Sequence, residues 1–202
     1  KENRKEKSSY NNNIILKAEN ISKIFKGPEN VHLLKGINLE IEEGSSISIV
    51  GASGVGKTTL LHILATLDSS SSGKVFLDGK ILKNRKKSLY KIRNSDFGFI
   101  FQSFNLIPVM TALENVSLPM VFSGMPRKEY EEKAAAKLAL VGLGERLHHK
   151  PLELSGGQMQ RVAIARAMAN DPELILADEP TGNLDLKTGQ EIIELMLKMQ
   201  AE

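Results

Sequence analysis

A glycine-rich octapeptide constrains the fold of this 202-residue chain more than any other feature. Residues 51–58 read Gly-Ala-Ser-Gly-Val-Gly-Lys-Thr, with a β-branched run at 46–50 before them and a helix-forming run at 59–65 after them. In such a strand–loop–helix unit, backbone N–H groups point at a phosphate and the helix dipole adds to the attraction. The pattern therefore predicts a phosphate-binding loop, with Lys57 on the β and γ phosphates and the Thr58 hydroxyl suited to Mg²⁺.

A second feature is an apolar run that ends in two acids. Residues 174–177 are uninterrupted Leu-Ile-Leu-Ala, and Asp178 and Glu179 follow directly. This pattern predicts a buried parallel strand that delivers both carboxylates to the carboxyl edge of a sheet. There Asp178 could hold Mg²⁺, directly or through water, and Glu179 could activate an attacking water.

A third feature is a second helix start. Residues 154–158, Leu-Ser-Gly-Gly-Gln, precede an alanine-rich run that a proline stops at 172. Ser155 is a good N-cap, and the two glycines leave the backbone N–H groups uncovered. The segment predicts a second phosphate-binding helix terminus, although the chain has one acidic strand end.

The remaining pattern indicates a mixed α/β chain. Strand character at 14–25 and alternation at 33–41 predict an antiparallel pair, and Asp78-Gly79 predicts a hairpin within 74–82. A strand at 97–101 leads to Gln102. A helical region over 111–140, with breaks at Pro119 and at 124–126, and an amphipathic helix over 187–200 complete the prediction.

Composition limits the class of protein. Apolar residues at 41% and charged residues at 25% are ordinary for one globular domain, and no apolar run approaches the length of a membrane span. The polar residues 1–13 predict a solvated tail without a secretory signal, and the zero cysteines fit a reducing compartment. We therefore expect a cytosolic protein.

Two charged features carry less information. The four histidines, His32, His62, His148 and His149, lack metal-ligand spacing, which favours surface or core roles. The basic stretch from Lys80 to Arg93 favours a solvated face, with lipid headgroups or a partner as the alternative.

Together these motifs resemble the nucleotide-binding subunit of ATP-binding-cassette (ABC) transporters over nearly the whole chain. Residues 51–58 match Walker A, Gln102 the Q-loop, 154–158 the family signature, Asp178-Glu179 Walker B and 183–185 the D-loop. The resemblance implies an α/β P-loop NTPase with a mainly parallel core sheet, an N-terminal antiparallel β subdomain and an inserted helical lobe. The domain would span 14–202, with the lobe at about 104–157.

The resemblance also implies roles for individual residues. Phe25 would stack on adenine, where Tyr is commoner in the family. Catalysis would fall to Glu179, Lys57 and Gln102, and Mg²⁺ to Thr58, Gln102 and Asp178. The residues expected to contact ATP are Phe25, Gly51, Ala52, Ser53, Gly54, Val55, Gly56, Lys57, Thr58, Thr59, Ser155, Gly156, Gly157 and Gln158.

The implied partners are a second nucleotide-binding subunit, most simply a second copy, and an integral membrane permease, with no nucleic acid. Family members bind two ATP molecules head to tail, so that Ser155, Gly156 and Gly157 close over the γ-phosphate held by Lys57 of the other subunit. The segments 101–108, 111–116 and 177–185 are similar to the lipoprotein-releasing, macrolide-exporting and cell-division ATPases, which implies a peripheral position on the inner face of the cell membrane.

One departure from the family pattern stands out. The family places a switch histidine a few tens of residues past Walker B, and none of the four histidines lies beyond Asp178. We therefore expect either a chain truncated before that histidine or a histidine and last core strands that come from elsewhere, and in this chain nucleotide binding with impaired hydrolysis.

Three other classes of nucleotide-binding protein share some of these motifs. Chromosome-maintenance and repair ATPases share the motifs but insert a long coiled coil, whereas about fifty residues without sustained heptads separate Gln102 from Leu154. Translation-associated cassette proteins carry two cassettes per chain. A P-loop GTPase is disfavoured because the chain has no N-K-x-D motif.

Overall fold

The computed structural model describes residues 13–82 and 86–200. Contacts divide them into two compact units, one made of residues 13–60 and 69–82 and the other of 61–68 and 86–200. The predicted tail lies outside the described residues except for Asn13, as do residues 83–85 of the basic stretch.

The first unit is built on a four-stranded antiparallel sheet of order β2-β1-β3-β4. Its strands are β1 (Ile14–Phe25), β2 (Val31–Glu42), β3 (Ser72–Leu77) and β4 (Lys80–Ile81). Leu16, Ala18 and Ile21 on β1 are almost fully buried, because β1 pairs with β2 on one side and β3 on the other. The predicted antiparallel pair is confirmed.

The turn between β3 and β4 follows from two residues. Asp78 and Gly79 have φ angles of 46° and 68°. Positive φ at both central residues is the type I′ geometry, whose twist matches that of a hairpin. The predicted hairpin at Asp78-Gly79 is confirmed.

The predicted strand at 46–50 is wrong. These residues belong to neither sheet, and within them Val50 is 89% exposed. β-branched side chains favour a strand, but the strand exists only where its N–H and C=O groups find a neighbouring strand. The described part of the first unit offers these residues no ladder partner.

The second unit contains a parallel pair, β5 (Phe97–Ile100) and β6 (Leu174–Ala177), with Phe97 opposite Leu174 and Ile100 opposite Ala177. Ile100 is fully buried, and β6 is partly covered. Because parallel strands end at the same edge, the residues after Ile100 and Ala177 share one edge of this sheet. The strands predicted at 97–101 and 174–177 and the parallel direction of the second are confirmed, but the burial predicted for 174–177 holds fully only for Leu176, since Ile175 is 38% exposed.

Helices form the remainder of the structure. They are α1 (Lys57–Leu64), α2 (Lys86–Ser95), α3 (Ala112–Phe122), α4 (Arg127–Leu140), α5 (Gly156–Ala167) and α6 (Leu186–Gln200). In the second unit one apolar core includes Val116 on α3, Leu138 on α4 and Ile164 on α5. None of the helices in the described ranges is both long and apolar enough to cross a bilayer.

The predicted break at Pro119 is wrong, because α3 continues through that residue to Phe122. A proline inside a helix removes one N–H donor and costs about 3 kcal/mol in isolation. Here Val116 and Met120 are completely buried in the core on either side, and the Pro119 carbonyl accepts hydrogen bonds from the side chains of Asn94 and Asn170. Tertiary packing therefore offsets the local penalty, and the break falls at the predicted second position, 124–126.

The segment between β5 and α3 is fastened by one buried amide. Asn115 is completely buried. Its Oδ1 accepts from Ile107 N at 2.8 Å, and its Nδ2 donates to the carbonyl oxygens of Ile107, Met110 and Thr111 at 2.9–3.2 Å. One side chain thus satisfies backbone groups across five residues that follow Gln102.

We predict that Asn115→Ala lowers the free energy of unfolding by about 1–3 kcal/mol, because it leaves buried backbone groups without partners. Ser117→Ala is the matched control, since the Ser117 hydroxyl is buried but bonds only to Leu113 O of its own helix. Urea titration of both variants measures the difference. Equal losses would contradict a special role for Asn115.

Candidate functional site

The glycine-rich loop lies in the first unit, directly before α1. Gly56 has a φ of +103°, and a Cβ built on it would lie 2.9 Å from Leu34 Cδ2 and 3.0 Å from Leu33 Cγ. Both leucines belong to β2. Only glycine therefore fits here, for a conformational and a steric reason.

The loop is arranged to receive an anion. Lys57 Nζ donates to the carbonyl oxygens of Gly51 and Ala52 at 3.0 Å each, so the ammonium lies against the loop. The helix α1 begins at Lys57, and its first N–H groups have no partners within the helix. Residues 51–55 are exposed. The loop therefore combines a cation, a helix N-terminus and open access, which together suit phosphate.

Phe25 occupies the last position of β1 in the same unit. Its ring is 47% exposed, and Lys23 Nζ lies 5.2 Å from the ring centroid. A half-exposed ring at a strand end offers a face on which a flat ligand can stack.

The acidic pair lies in the second unit, where β6 ends. Asp178 N donates to Ile100 O at 2.9 Å, so the ladder extends one residue past the strand. Glu179 is exposed and has a φ of +45°. A glutamate in the left-handed region is strained, and such strain persists only where neighbouring contacts hold it.

Gln102 lies at the same edge of the sheet, because it follows β5 as Glu179 follows β6. Its carbonyl accepts from Asn183 Nδ2 at 2.9 Å. A Cβ on Gly182 would lie 2.7 Å from Gln102 Nε2, so the glutamine side chain lies directly on this glycine. Gln102, Asp178 and Glu179 thus follow neighbouring strands at one edge of the sheet, and amide and carboxylate oxygens are donors that suit Mg²⁺.

Arg166 is a site residue that the sequence analysis missed. Its guanidinium donates to the carbonyl oxygens of Phe104 and Asn105, both of which have positive φ angles, 60° and 49°. Burial lowers the pKa of Arg166, although arginine remains charged. The fork of donors holds the strained backbone just after Gln102. The only signal in the sequence was a basic residue inside an alanine-rich helix.

The predicted N-cap of α5 is confirmed. Ser155 Oγ accepts from Gln158 N at 3.3 Å, and Gln158 Oε1 accepts from Ser155 N at 2.9 Å, which forms a reciprocal capping box. Ser155 is exposed. The N-terminal end of α5 therefore faces solvent as a second terminus suited to phosphate.

Gly157 is required by its neighbour on α6. A Cβ on Gly157 would lie 2.5 Å from Thr188 Cγ2. Thr188 cannot easily move, because its N and Oγ1 both donate to the Asp185 carboxylate, and these bonds lower the pKa of Asp185. A Cβ on Gly156 meets Leu184 Cδ2 at 3.4 Å and Phe104 Cζ at 4.0 Å, both ordinary contacts.

We predict that Gly157→Ala lowers the free energy of unfolding by about 1–3 kcal/mol through overpacking, more than the ~1 kcal/mol gained in helix propensity. Adding Thr188→Ser should recover most of the loss, because serine keeps the hydroxyl and lacks the methyl group. Gly156→Ala is the matched control and should leave stability unchanged or slightly higher. Thermal unfolding of the four proteins measures this, and failure of the serine to rescue would contradict the packing argument.

The structure thus distributes the predicted residues over both units. The first holds Phe25 and the loop up to Lys57, and the second holds Gln102, Ser155 to Gln158, Asp178 and Glu179. Comparison with known proteins places most of these residues within one family match. The family model described as "ABC transporter" matches residues 34–182.

Curated relatives agree with the family model. An uncharacterized ABC transporter ATP-binding protein of Thermotoga maritima is 53% identical over 187 residues, which are 92% of this chain and 80% of the relative. The lipoprotein-releasing system ATP-binding protein LolD of Aquifex aeolicus is 52% identical over 186 residues, 92% of this chain and 82% of the relative.

A solved relative has the same fold. The cassette MJ0796, named for Methanocaldococcus jannaschii, is 46% identical, with a TM-score of 0.84 over 92% of this chain and 83% of that chain, in a dimeric structure. A second structure of MJ0796, with ADP and phosphate after hydrolysis, also gives 0.84. These relatives favour a transporter over the soluble alternatives. The chain therefore belongs to the ABC transporter family and is an ATP-binding cassette ATPase.

Proposed function

We propose that this chain is the nucleotide-binding subunit of a lipoprotein-releasing or export-type transporter and works as a head-to-tail homodimer with a membrane permease. One observation carries the proposal: the capped N-terminal end of α5 faces solvent. The glycine-rich loop is already a phosphate site, so a second exposed terminus of this kind suits a nucleotide held by another subunit.

The loop residues Gly51 to Thr59 bind the triphosphate in this proposal, and Phe25 stacks on the adenine. Lys57 neutralises the β and γ phosphates. Its present bonds to Gly51 and Ala52 support this role, because they keep the ammonium at the loop, where phosphate oxygens can replace the two carbonyl oxygens.

Thr58, Gln102 and Asp178 are the residues that would hold Mg²⁺. Their hydroxyl, amide and carboxylate oxygens are the ligands that this ion prefers. When bound, the ion supplies positive charge to the triphosphate. Glu179 accepts the proton of the attacking water, and its strained backbone and exposed carboxylate support that role.

The second copy completes the nucleotide site. Ser155, Gly156, Gly157 and Gln158 of one copy contact the phosphates held by the other, through the Ser155 hydroxyl, the N–H groups of Gly156 and Gly157 and the Gln158 side chain. The dimeric structure of MJ0796 supports this arrangement. Closure of the dimer then excludes bulk water from the phosphates and leaves the attacking water next to Glu179.

The membrane partner places the chain at the inner face of the cell membrane. The printed name of the Aquifex aeolicus relative, a lipoprotein-releasing system protein, supports this class of transporter. In the second unit the apolar side chains of Val109 and Phe122 are 76% and 62% exposed, so each is available to a partner.

Lys57→Ala should weaken ATP affinity by roughly ten- to over a hundredfold, because it removes a charge-assisted bond worth about 1.5–3 kcal/mol. Titration with a fluorescent ATP analogue measures the change. The matched control is Lys80→Ala, whose ammonium is exposed and paired with Asp78. Equal affinities of the two variants would overturn the assignment of the loop.

Glu179→Gln should retain ATP binding, lower the hydrolysis rate by roughly 100-fold or more, and accumulate an ATP-bound dimer in the full-length protein. Size-exclusion chromatography with ATP detects the dimer, and phosphate release gives the rate. Glu173→Gln is the control, since Glu173 is an exposed acid just before the same strand. Normal hydrolysis by Glu179→Gln would show that another group is the base.

A further inference from the structure

One buried side chain on α5 contacts the backbone beside Glu179. Gln160 is completely buried, and its Nε2 donates to Pro180 O at 2.7 Å. Pro180 is the residue that directly follows Glu179. The helix that carries the signature at its N-terminus therefore also contacts the chain just past the candidate base.

The orientation of this amide is determined by its partner. A carbonyl oxygen only accepts hydrogen bonds, so the NH₂ group of Gln160 must face Pro180. The other end of the amide, Oε1, is buried without a hydrogen-bond partner among the described residues. A buried acceptor without a partner lowers stability, and an apolar side chain of similar size would avoid that cost. What the amide provides, and an apolar side chain could not, is the hydrogen bond to Pro180 O.

This bond is one of several that hold the backbone on either side of Glu179. Glu179 has a φ of +45°, a conformation that reverts unless both flanks are held. On the N-terminal side Asp178 N donates to Ile100 O, and on the C-terminal side Gly182 N donates to Glu179 O at 3.0 Å. Pro180, also on the C-terminal side, has no N–H, so its carbonyl is its only backbone group for a hydrogen bond. Gln160 is the side chain that takes it.

We propose that Gln160 is a positioning residue for ATP hydrolysis, which holds the Glu179 carboxylate in its working orientation through the carbonyl of Pro180. The inference rests on the proposed role of Glu179 as the base. Gln160 contacts neither nucleotide nor water in this proposal and acts only through the backbone.

The test replaces Gln160 by apolar residues of similar volume, Gln160→Met and, in parallel, Gln160→Leu, in the full-length protein. We expect kcat to fall by roughly 10- to 100-fold, the effect of a small misplacement of a catalytic group. KM for ATP should change by less than about twofold, and the melting temperature should change little, because removing the unpaired oxygen offsets the loss of the bond to Pro180 O. Ser117→Ala, which also removes a buried polar group, should leave kcat unchanged.

A double-mutant cycle separates positioning from general damage. If Gln160 acts through Glu179, Gln160→Met should cause no further loss of the residual rate in a Glu179→Gln background. Multiplicative losses, or a wild-type kcat for both apolar variants, would overturn the inference while leaving Glu179 as the base. Normal hydrolysis by Glu179→Gln alone would instead overturn the proposed function on which it rests.

Discussion

Side chains of α5 hold the backbone of the two loops that carry the candidate catalytic residues. Arg166 binds the carbonyl oxygens of Phe104 and Asn105 after Gln102, and Gln160 binds that of Pro180 after Glu179. Each loop contains left-handed residues other than glycine. Because such conformations cost of order 1–3 kcal/mol per residue, they depend on these bonds, and the geometry of the sheet edge depends on one helix.

Close approach of backbone is the second constraint on the second unit. Gly157 lies against the Thr188 methyl group, and Gly182 lies against the Gln102 amide. Asn183 of the same loop also donates to the Gln102 carbonyl. The loop after Glu179 is therefore packed between the start of α5, the start of α6 and Gln102. A shift of any one of these elements would displace the others, because close-packed contacts leave no space to absorb it.

Local patterns in the sequence predicted much of the fold correctly. The alternation in β1 and β2, the Asp-Gly turn and the Ser155 cap each depend on neighbours within a few residues, and all three are confirmed. Two predictions were wrong for one reason. Residues 46–50 needed a ladder partner, and Pro119 was retained in α3 by packing and by Asn94 and Asn170. Asn94 and Asn170 lie far from Pro119 in sequence, and whether a neighbouring strand exists for 46–50 is also decided outside that segment. The expected impairment of hydrolysis and the extent of the domain stay predictions.

The sequence by itself determined the residues on which the proposed chemistry rests: a glycine-rich loop at 51–58, two acids after an apolar strand, and a second glycine-rich helix start. These are residue types at fixed spacing, which local geometry suffices to interpret. Only the tertiary structure decided which buried residues support that chemistry. Arg166 donates to carbonyl oxygens that are 61 and 62 residues away in sequence. Gln160 donates to one 20 residues away, and Asn115 to carbonyl oxygens up to 8 residues away. Residue spacing does not predict such pairs, because every residue type carries the same backbone carbonyl group.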